Sequence, residues 1–227
     1  MPGQPTTRVY LVRHGATQLS AEDRFAGAIN PELSQQGVFQ AERLALRLAD
    51  DPIAAVYCSS MLRTLQTATI LARPHGLAPI QMDGLWEINH GHWEGMRRVD
   101  VEAQYPDEYA AWEEDPFTFA PQGGEAGVNV IARALPIIRQ IVLDHRGQHV
   151  VVVSHKATLR LLISVLLGFD ARGYRDRLDQ SPACLNVLDF NDPVRARLML
   201  FNDVSHYIDQ PAIDGSHLSK LWDTQPA

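Results

Sequence analysis

Short apolar runs alternate with stretches of helical periodicity along this chain. Val9-Tyr10-Leu11-Val12 is an uninterrupted apolar run, the pattern of a buried strand. Leu33-Ser34 then opens a helical stretch to about Ala49, with Val38, Ala41, Leu44, Ala45 and Leu48 at helical spacing and Ser34 placed to cap the first turn. Ile53–Tyr57 reads as a second strand and Met61–Leu71 as a second helix, closed by Pro74-His75-Gly76. Gly124 to His145 reads as one long helix, with Pro136 as a point of perturbation. Val150-Val151-Val152-Val153 is a continuous β-branched run, as in a central parallel strand, and Leu159–Leu167 is the next helix, ended by Gly168. Leu185–Phe190 and Ala196–Phe201 are two further strands, joined by a turn at Asn191-Asp192-Pro193. The alternation predicts an α/β fold, a three-layer α/β/α arrangement with helices on both faces of a mostly parallel central sheet.

Residues 80–121 break this rhythm. They are rich in Trp, Glu, Gly and Asp, with short helices expected at Val99–Gln104 and Asp107–Glu114. The segment reads as a cap-like insertion over the strand ends, without a core of its own, inside a single domain spanning residues 1–227. Residues 211–227 form a polar, unpatterned tail.

Composition narrows the function classes. With 27 acidic and 20 basic residues the chain carries a formal charge of −7, which speaks against a general nucleic-acid binder. It leaves room for a small anionic substrate, because a local arginine cluster outweighs the global field at short range. Two cysteines, Cys58 and Cys184, make no disulfide framework and no zinc spacing, and fit buried thiols in a reducing compartment. No apolar stretch reaches the length of a membrane span, and Met1–Thr7 has no signal pattern. A cytoplasmic protein with no membrane and no nucleic-acid partner is expected.

The candidate chemistry starts where the first strand ends. Arg13-His14-Gly15 stands where a buried strand opens into a loop, and in α/β proteins such ends carry ligand sites. An arginine fork matches phosphate, and a histidine can serve as a covalent nucleophile. Such a dipeptide alone is common on surfaces. Its weight comes from Arg63 after Cys58-Ser59-Ser60, from Glu87, and from a second strand-end histidine, His155, after the valine run. Arg13, Arg63 and His155 are suited to the nonbridging oxygens of a phosphate monoester and His14 to attack on phosphorus. Glu87 is suited to protonate the leaving alcohol and then activate water. The arginines neutralise the charge, so the scheme uses no metal and no cofactor. Glu94 and Asp83 compete with Glu87 for the acid's role. His90, His92, His145 and His149 read as solvated or structural; His90 and His92 flank Gly91, with no third ligand at a metal spacing.

Four further segments join Arg13-His14-Gly15-Ala16-Thr17: Ser60 to Ala68, Leu85 to Gly95, Gln122-Gly123-Gly124-Glu125, and Val152-Val153-Ser154-His155. In this order, over roughly residues 8 to 206, the chain resembles the histidine phosphatase superfamily, in the branch that includes the phosphoglycerate mutases. The resemblance implies a phosphoglycerate mutase-like fold, a phosphohistidine on His14, Glu87 as acid and base, and a small phosphorylated metabolite as partner. The run from Glu87 through Trp112 is similar to metal-independent phosphoserine phosphatases rather than to mutases, whose acid segment is longer. In those relatives a late histidine contacts substrate, and His206 stands at the comparable place. The chain departs from the usual pattern at Ala16, Ser20, Ala26, Asn30 and Lys156. Ser20, Gly27, Asn30, Lys156 and His206 are the candidate substrate-binding residues. Lys156 is either a solvent-facing lysine at a helix start or an extra cation suited to a second anionic group. Phosphoglycerate mutase activity and a non-catalytic phospho-ligand sensor are the alternatives. The physiological phosphomonoester stays open, as does a homodimer against a monomer.

Overall fold

The structure, a computed structural model, describes residues 5–21 and 24–208. In chain order the strands are β1 (Thr7–Arg13), β2 (Ile53–Cys58), β3 (Ile80–Gln81), β4 (His149–Ser154), β5 (Leu185–Phe190) and β6 (Ala196–Asp203). The helices are α1 (Gln18–Ala21), α2 (Gln35–Leu48), α3 (Leu62–Ala72), α4 (Arg98–Gln104), α5 (Pro106–Glu114), α6 (Gly127–Asp144), α7 (Lys156–Leu166) and α8 (Tyr174–Arg177). The strands make one sheet in the order β3-β2-β4-β1-β5-β6. β3, β2, β4 and β1 run parallel, and β5 and β6 add an antiparallel edge.

Alternation along the central strands fills both faces. Val9 and Leu11 of β1 point with Val150 and Val152 of β4 into a core completed by Ala134, Ile138 and Ile141 of α6 and Leu159, Leu162 and Ile163 of α7. Tyr10, Val12, Val151 and Val153 point the other way, onto Leu44 and Leu48 of α2 and Ala68 and Leu71 of α3. A sheet buried on both sides requires apolar residues at successive positions, which is why β1 and β4 read as unbroken apolar runs. Cys58 and Cys184 are both buried and unpaired, and burial pushes each thiol up to about 12.

Several elements differ from the sequence pattern, among them the short α1 and α8, which it does not show. α6 begins at Gly127 rather than Gly124 and runs through Pro136 as one helix. Pro136 lies on the exposed face, as does Ala132, whose carbonyl loses its helical donor. Ala134 and Ile138, two residues to either side, are fully buried and hold the helix on the sheet. α7 starts at Lys156, three residues before the apolar periodicity begins. β3 is a two-residue strand too short to carry a pattern. The cap segment, expected to lack a core of its own, has a small one: Trp93, Val101, Tyr109 and Trp112 cluster apart from the two sheet cores, joined by Phe25 from the loop after β1. Trp93 and Trp112 meet edge to face at 5.9 Å. The polar tail at 211–227 lies outside the described residues. Among the described residues no helix is long and apolar enough to cross a membrane.

Candidate active site

The sheet order brings the strand ends together. β1 and β2 flank β4 and run parallel to it, in a register that pairs Arg13 with Ser154 and Cys58 with Val153. The residues that follow, His14, His155 and Ser59, therefore emerge side by side at the carboxyl edge. The His14 N–H donates to the Ser154 carbonyl and the Ser59 N–H to the Val153 carbonyl, both at 3.0 Å. The two imidazoles face each other edge-on with centroids 5.2 Å apart. Arg63 enters from the first turn of α3 and Glu87 from the chain after a short 3-10 turn at Asp83–Leu85. A cleft of about 200 Å³ opens over this edge, and Arg13, His14, Arg63 and Glu87 line it.

Hydrogen bonds fix the tautomer of each histidine. His14 Nδ1 lies 2.7 Å from the carbonyl oxygen of Gly15, which can only accept, so Nδ1 carries the proton and Nε2 keeps its lone pair. Gly15 is held in turn by close backbone packing: a Cβ on it would sit 2.4 Å from the carbonyl oxygen of Gly37, at the start of α2. Arg63 Nε donates to His155 Nδ1 at 3.2 Å, so His155 carries its proton on Nε2, 2.9 Å from Ser59 Oγ. Burial, reinforced by the Arg63 and Arg13 guanidiniums, pushes His14 well below the ordinary histidine range. Burial and the same two arginines, with His14 itself, do so for His155. Both rings are neutral at physiological pH. Burial also lowers Arg63, to about 10, which leaves it charged. Arg13 donates from Nη1 to the Gln180 carbonyl at 2.6 Å, while its buried Nε has no hydrogen-bond partner. A buried guanidinium N–H with no acceptor is costly, and an anion entering the cleft would relieve it.

Glu87 closes the site and also caps α7. Its Oε1 accepts from the Thr158 N–H and hydroxyl, each at 3.1 Å, and its Oε2 from the Ala157 N–H at 3.1 Å. These are the free donors of the helix's first turn, which explains why α7 begins at Lys156 although His155 offers no side-chain cap. Arg133 of α6 holds the backbone on which Glu87 sits. Its guanidinium pairs with both Glu125 oxygens (2.8 and 2.7 Å) and donates to the carbonyls of Gly84, Trp86 and Glu87. Replacing Arg133 by alanine is expected to orphan the Gly84 and Glu87 carbonyls and the Glu125 carboxylate, while the Trp86 carbonyl keeps the Thr158 hydroxyl. The thermal midpoint should fall by several degrees, for roughly 2–3 kcal/mol of lost stability. An unchanged midpoint in differential scanning calorimetry would contradict that accounting.

The other expected residues divide. Lys156 lines the cleft and lies 3.9 Å from Asp179. Gly27 and Asn30 sit beside the cleft and shape its loop instead of lining it. The Gly27 N–H donates to Glu94 Oε1 at 3.1 Å, and a Cβ there would meet the Ile88 carbonyl oxygen at 1.8 Å. Asn30 Oδ1 accepts the Leu62 N–H at 2.6 Å, at the start of α3. His206 is buried in the turn after β6 and is absent from the cleft wall; its carbonyl accepts from Arg43. Ser20 belongs to α1, and its side chain lies outside the described residues. The competitors of Glu87 are occupied elsewhere: Glu94 accepts the N–H groups of Gly27, Ala28, Ile29 and His90, and Asp83 accepts from the Ser60 hydroxyl. His145 bonds the Tyr57 hydroxyl at 2.9 Å and His149 lies 3.3 Å from that of Tyr10, both structural. His92 contacts Glu108 at 3.2 Å, whereas His90 lines the cleft against Phe25. Among the described residues no three His, Cys, Asp or Glu side chains gather as a metal set.

Sequence reading passed over several cleft residues, chiefly Arg24, Arg98, Arg160 and Arg175. Arg160 had a signal: it stands four residues after Lys156, which places both on one helix face. Arg98 and Arg175 come from short helices whose docking only the fold reveals.

The chain is 35% identical over 163 residues to phosphoserine phosphatase 1 of Hydrogenobacter thermophilus, covering 72% of this chain and 77% of that protein. It is 33% identical over 169 residues to a glucosyl-3-phosphoglycerate phosphatase of Mycolicibacterium vanbaalenii, covering 71% and 74%. Among solved structures, YhfR of Bacillus stearothermophilus superposes with a TM-score of 0.82 at 30% identity, covering 88% of this chain and 98% of that one. A sequence model of the histidine phosphatase superfamily, branch 1, matches residues 9–204, and the chain belongs to that family.

Proposed function

We propose that this protein hydrolyses a small phosphomonoester through a phosphohistidine on His14, without a metal. The observation that carries the reading is the His14 hydrogen bond to the Gly15 carbonyl, which leaves Nε2 as the ring nitrogen with a free lone pair beside two arginines. In the first step Nε2 attacks phosphorus, the P–O ester bond breaks, and protonated Glu87 gives its proton to the leaving alkoxide. In the second step water attacks the phosphohistidine, Glu87 takes a proton from it, and inorganic phosphate leaves with Nε2 restored. Arg13 and Arg63 donate to the nonbridging oxygens throughout, whereas His155, which was expected to join them, is absent from the cleft wall, gives its one N–H to Ser59 Oγ and holds Arg63 through Nδ1. Relatives named for phosphoserine, glucosyl-3-phosphoglycerate and α-ribazole phosphate bound the substrate class to small phosphorylated metabolites.

The test is phosphate release from a panel of phosphomonoesters with excess chelator present, together with rapid-quench trapping of acid-labile phosphoprotein. Release with a transient phosphoenzyme is expected. Exchange between the two phosphoglycerates with little release would reassign the protein to mutase chemistry, and neither signal from folded protein would sink the enzyme reading.

The neutral histidines give a second expectation. A base whose folded pKa is lowered is already deprotonated at pH 6.5 and gains its proton only as pH falls through the lower value. Nitrogen-15 NMR of the imidazoles should therefore find His14 and His155 neutral from pH 8 down past 6.5. Titration of His14 at or above the ordinary histidine value would contradict its role as a ready nucleophile.

A further inference from the structure

One nitrogen of the Arg13 guanidinium is committed away from substrate. Nη1 donates to the Gln180 carbonyl at 2.6 Å, while the buried Nε has no hydrogen-bond partner. The edge shared by Nε and Nη2 is therefore the fork left for a phosphoryl group. Which edge meets the phosphate depends on where the Gln180 carbonyl points.

That carbonyl belongs to the planar peptide joining Gln180 to Ser181, whose N–H points the opposite way. The Ser181 N–H donates to Asn202 Oδ1 at 2.7 Å. One flat group is thus gripped at both ends, by Arg13 and by Asn202, and release at one end frees the other to turn. Asn202 lies on β6, and its own N–H donates to Asn186 Oδ1 at 2.9 Å. The Asn186 and Gln180 side-chain amides bond each other reciprocally, at 2.9 and 2.8 Å, and Asn186 also donates to the Leu11 carbonyl at 3.0 Å. Leu11 stands two residues before Arg13 on β1. The bonds close a ring that leaves β1 at Leu11 and returns to it at Arg13, through Asn186 and Gln180 side chains that are fully buried. A buried polar network matched in this way rigidifies what it joins.

The backbone is distorted to make the ring. Leu185 pairs with Asp203 and Val187 with Leu200, so β6 carries one extra residue here and Asn202 sits in a bulge. Bulges re-aim side chains, and they occur beside active sites. Among the described residues, Ala183 and Asn202 are the non-glycine residues with positive φ, at 50° and 48°. Both border this turn: Ala183 donates to the His14 carbonyl, and Asn202 turns its amide onto Ser181.

We infer that Asn202 is a positioning residue for phosphoryl transfer: through the Gln180–Ser181 peptide it fixes the edge of Arg13 that meets the nonbridging oxygens. This rests on the phosphatase reading above, which gives Arg13 its phosphoryl partner.

The test compares the full chain as wild type, Asn202→Gly and Asn202→Asp. Glycine adopts this φ without strain and keeps the backbone N–H for Asn186, so it removes the side chain alone. Aspartate also tolerates this backbone and keeps an acceptor for Ser181. Each is assayed well below its thermal midpoint, for hydrolysis of p-nitrophenyl phosphate and for inhibition by vanadate, a five-coordinate mimic of the transferring group. Asn202→Gly should lower kcat/KM and weaken vanadate by roughly tenfold, the scale of one hydrogen bond to a charged group. Asn202→Asp should stay close to the wild type. A lower midpoint with both constants unchanged in Asn202→Gly would overturn the inference and leave Asn202 a structural residue. Losses in Asn202→Asp equal to those in Asn202→Gly would overturn it as well, because the acceptor would not be what matters. If Asn202→Gly does not fold, nitrogen-15 NMR of the wild type decides. The two Arg13 Nη signals, identified by their loss in Arg13→Lys, should be separate, as in a guanidinium held from rotating. A single averaged signal would overturn the clamp. Wild-type protein that neither hydrolyses p-nitrophenyl phosphate nor binds vanadate would overturn the phosphatase reading and this inference with it.

Discussion

His14→Ala is expected to lower turnover by about five to six orders of magnitude, the scale seen when a covalent nucleophile is lost, while the protein stays folded. The loss would come from chemistry, because the backbone around the residue keeps its bonds. The His14 N–H still donates to the Ser154 carbonyl, and its carbonyl still accepts from Ala183 at 3.1 Å. What disappears is one imidazole that already lies in a dehydrated pocket as a neutral ring, at a stability cost of about 1–2 kcal/mol. Arg13 and Arg63 remain, so phosphate should still bind the variant with an affinity similar to the wild type's. The measurement is threefold: steady-state release, acid-labile phosphoprotein on rapid quench, and phosphate binding by calorimetry. Abolished turnover and phosphoenzyme with retained phosphate binding is the expected pattern. A variant that still forms acid-labile phosphoprotein would place the nucleophile elsewhere, and His155 is the one neighbour that could take over. Its Nδ1 accepts from Arg63, so the ring would have to reorient to attack, and the phosphoenzyme would form slowly.

How much of this could be read from the chain depends on whether the signal was local. The strands were legible because burial on both sheet faces writes itself as Val9–Val12 and Val150–Val153. Ser34 was legible as a cap because its hydroxyl reaches the Gly37 N–H three residues away. The start of α7 was not legible, because its cap is a carboxylate about seventy residues earlier. The same distance hid the rest of the site. Arg13, His14, Arg63, Glu87 and His155 were expected from residue types at strand ends and from ordered motifs, and the first four line one cleft. Their partners were not: Gln180, whose carbonyl holds Arg13, and Arg133, whose guanidinium anchors the Glu87 backbone, sit on helices or turns with no motif of their own. Gly27 and Asn30 were expected near substrate because their loop is, and the structure gives them loop-building bonds instead. His206 stands at the place a motif suggests, and burial in its turn keeps it off the cleft wall. Pro136 shows the opposite limit: a local rule against proline within helices was outweighed by packing at Ala134 and Ile138.

Glu87→Gln should cost about a hundredfold to ten-thousandfold in turnover of alkyl phosphates, the range for removing a general acid, and the difficulty is to separate that from damage to α7. The carboxylate accepts from the Ile88 N–H, the Ala157 N–H, and the Thr158 N–H and hydroxyl. A carboxamide has one acceptor oxygen and one donor nitrogen. If its oxygen keeps the contacts to Ile88 and Thr158, its NH₂ faces the Ala157 N–H, donor against donor. One unmet helix donor and the lost negative charge at the helix start together cost about 1–3 kcal/mol. Stability will therefore fall whether or not Glu87 donates a proton, and a lower thermal midpoint decides nothing. Leaving-group dependence does decide. An alkoxide needs a proton as the P–O bond breaks, whereas p-nitrophenolate leaves without one. If Glu87 supplies that proton, Glu87→Gln should slow an alkyl phosphate at least tenfold more than p-nitrophenyl phosphate, steepening the dependence of rate on leaving-group basicity. A helix displaced as a whole would slow both substrates alike, because the phosphoryl pocket and not the departing oxygen would be disturbed. Equal losses in kcat/KM, which ends at phosphoenzyme formation and so leaves out the water step common to both substrates, would therefore strip Glu87 of its role as the acid and leave it as the cap of α7.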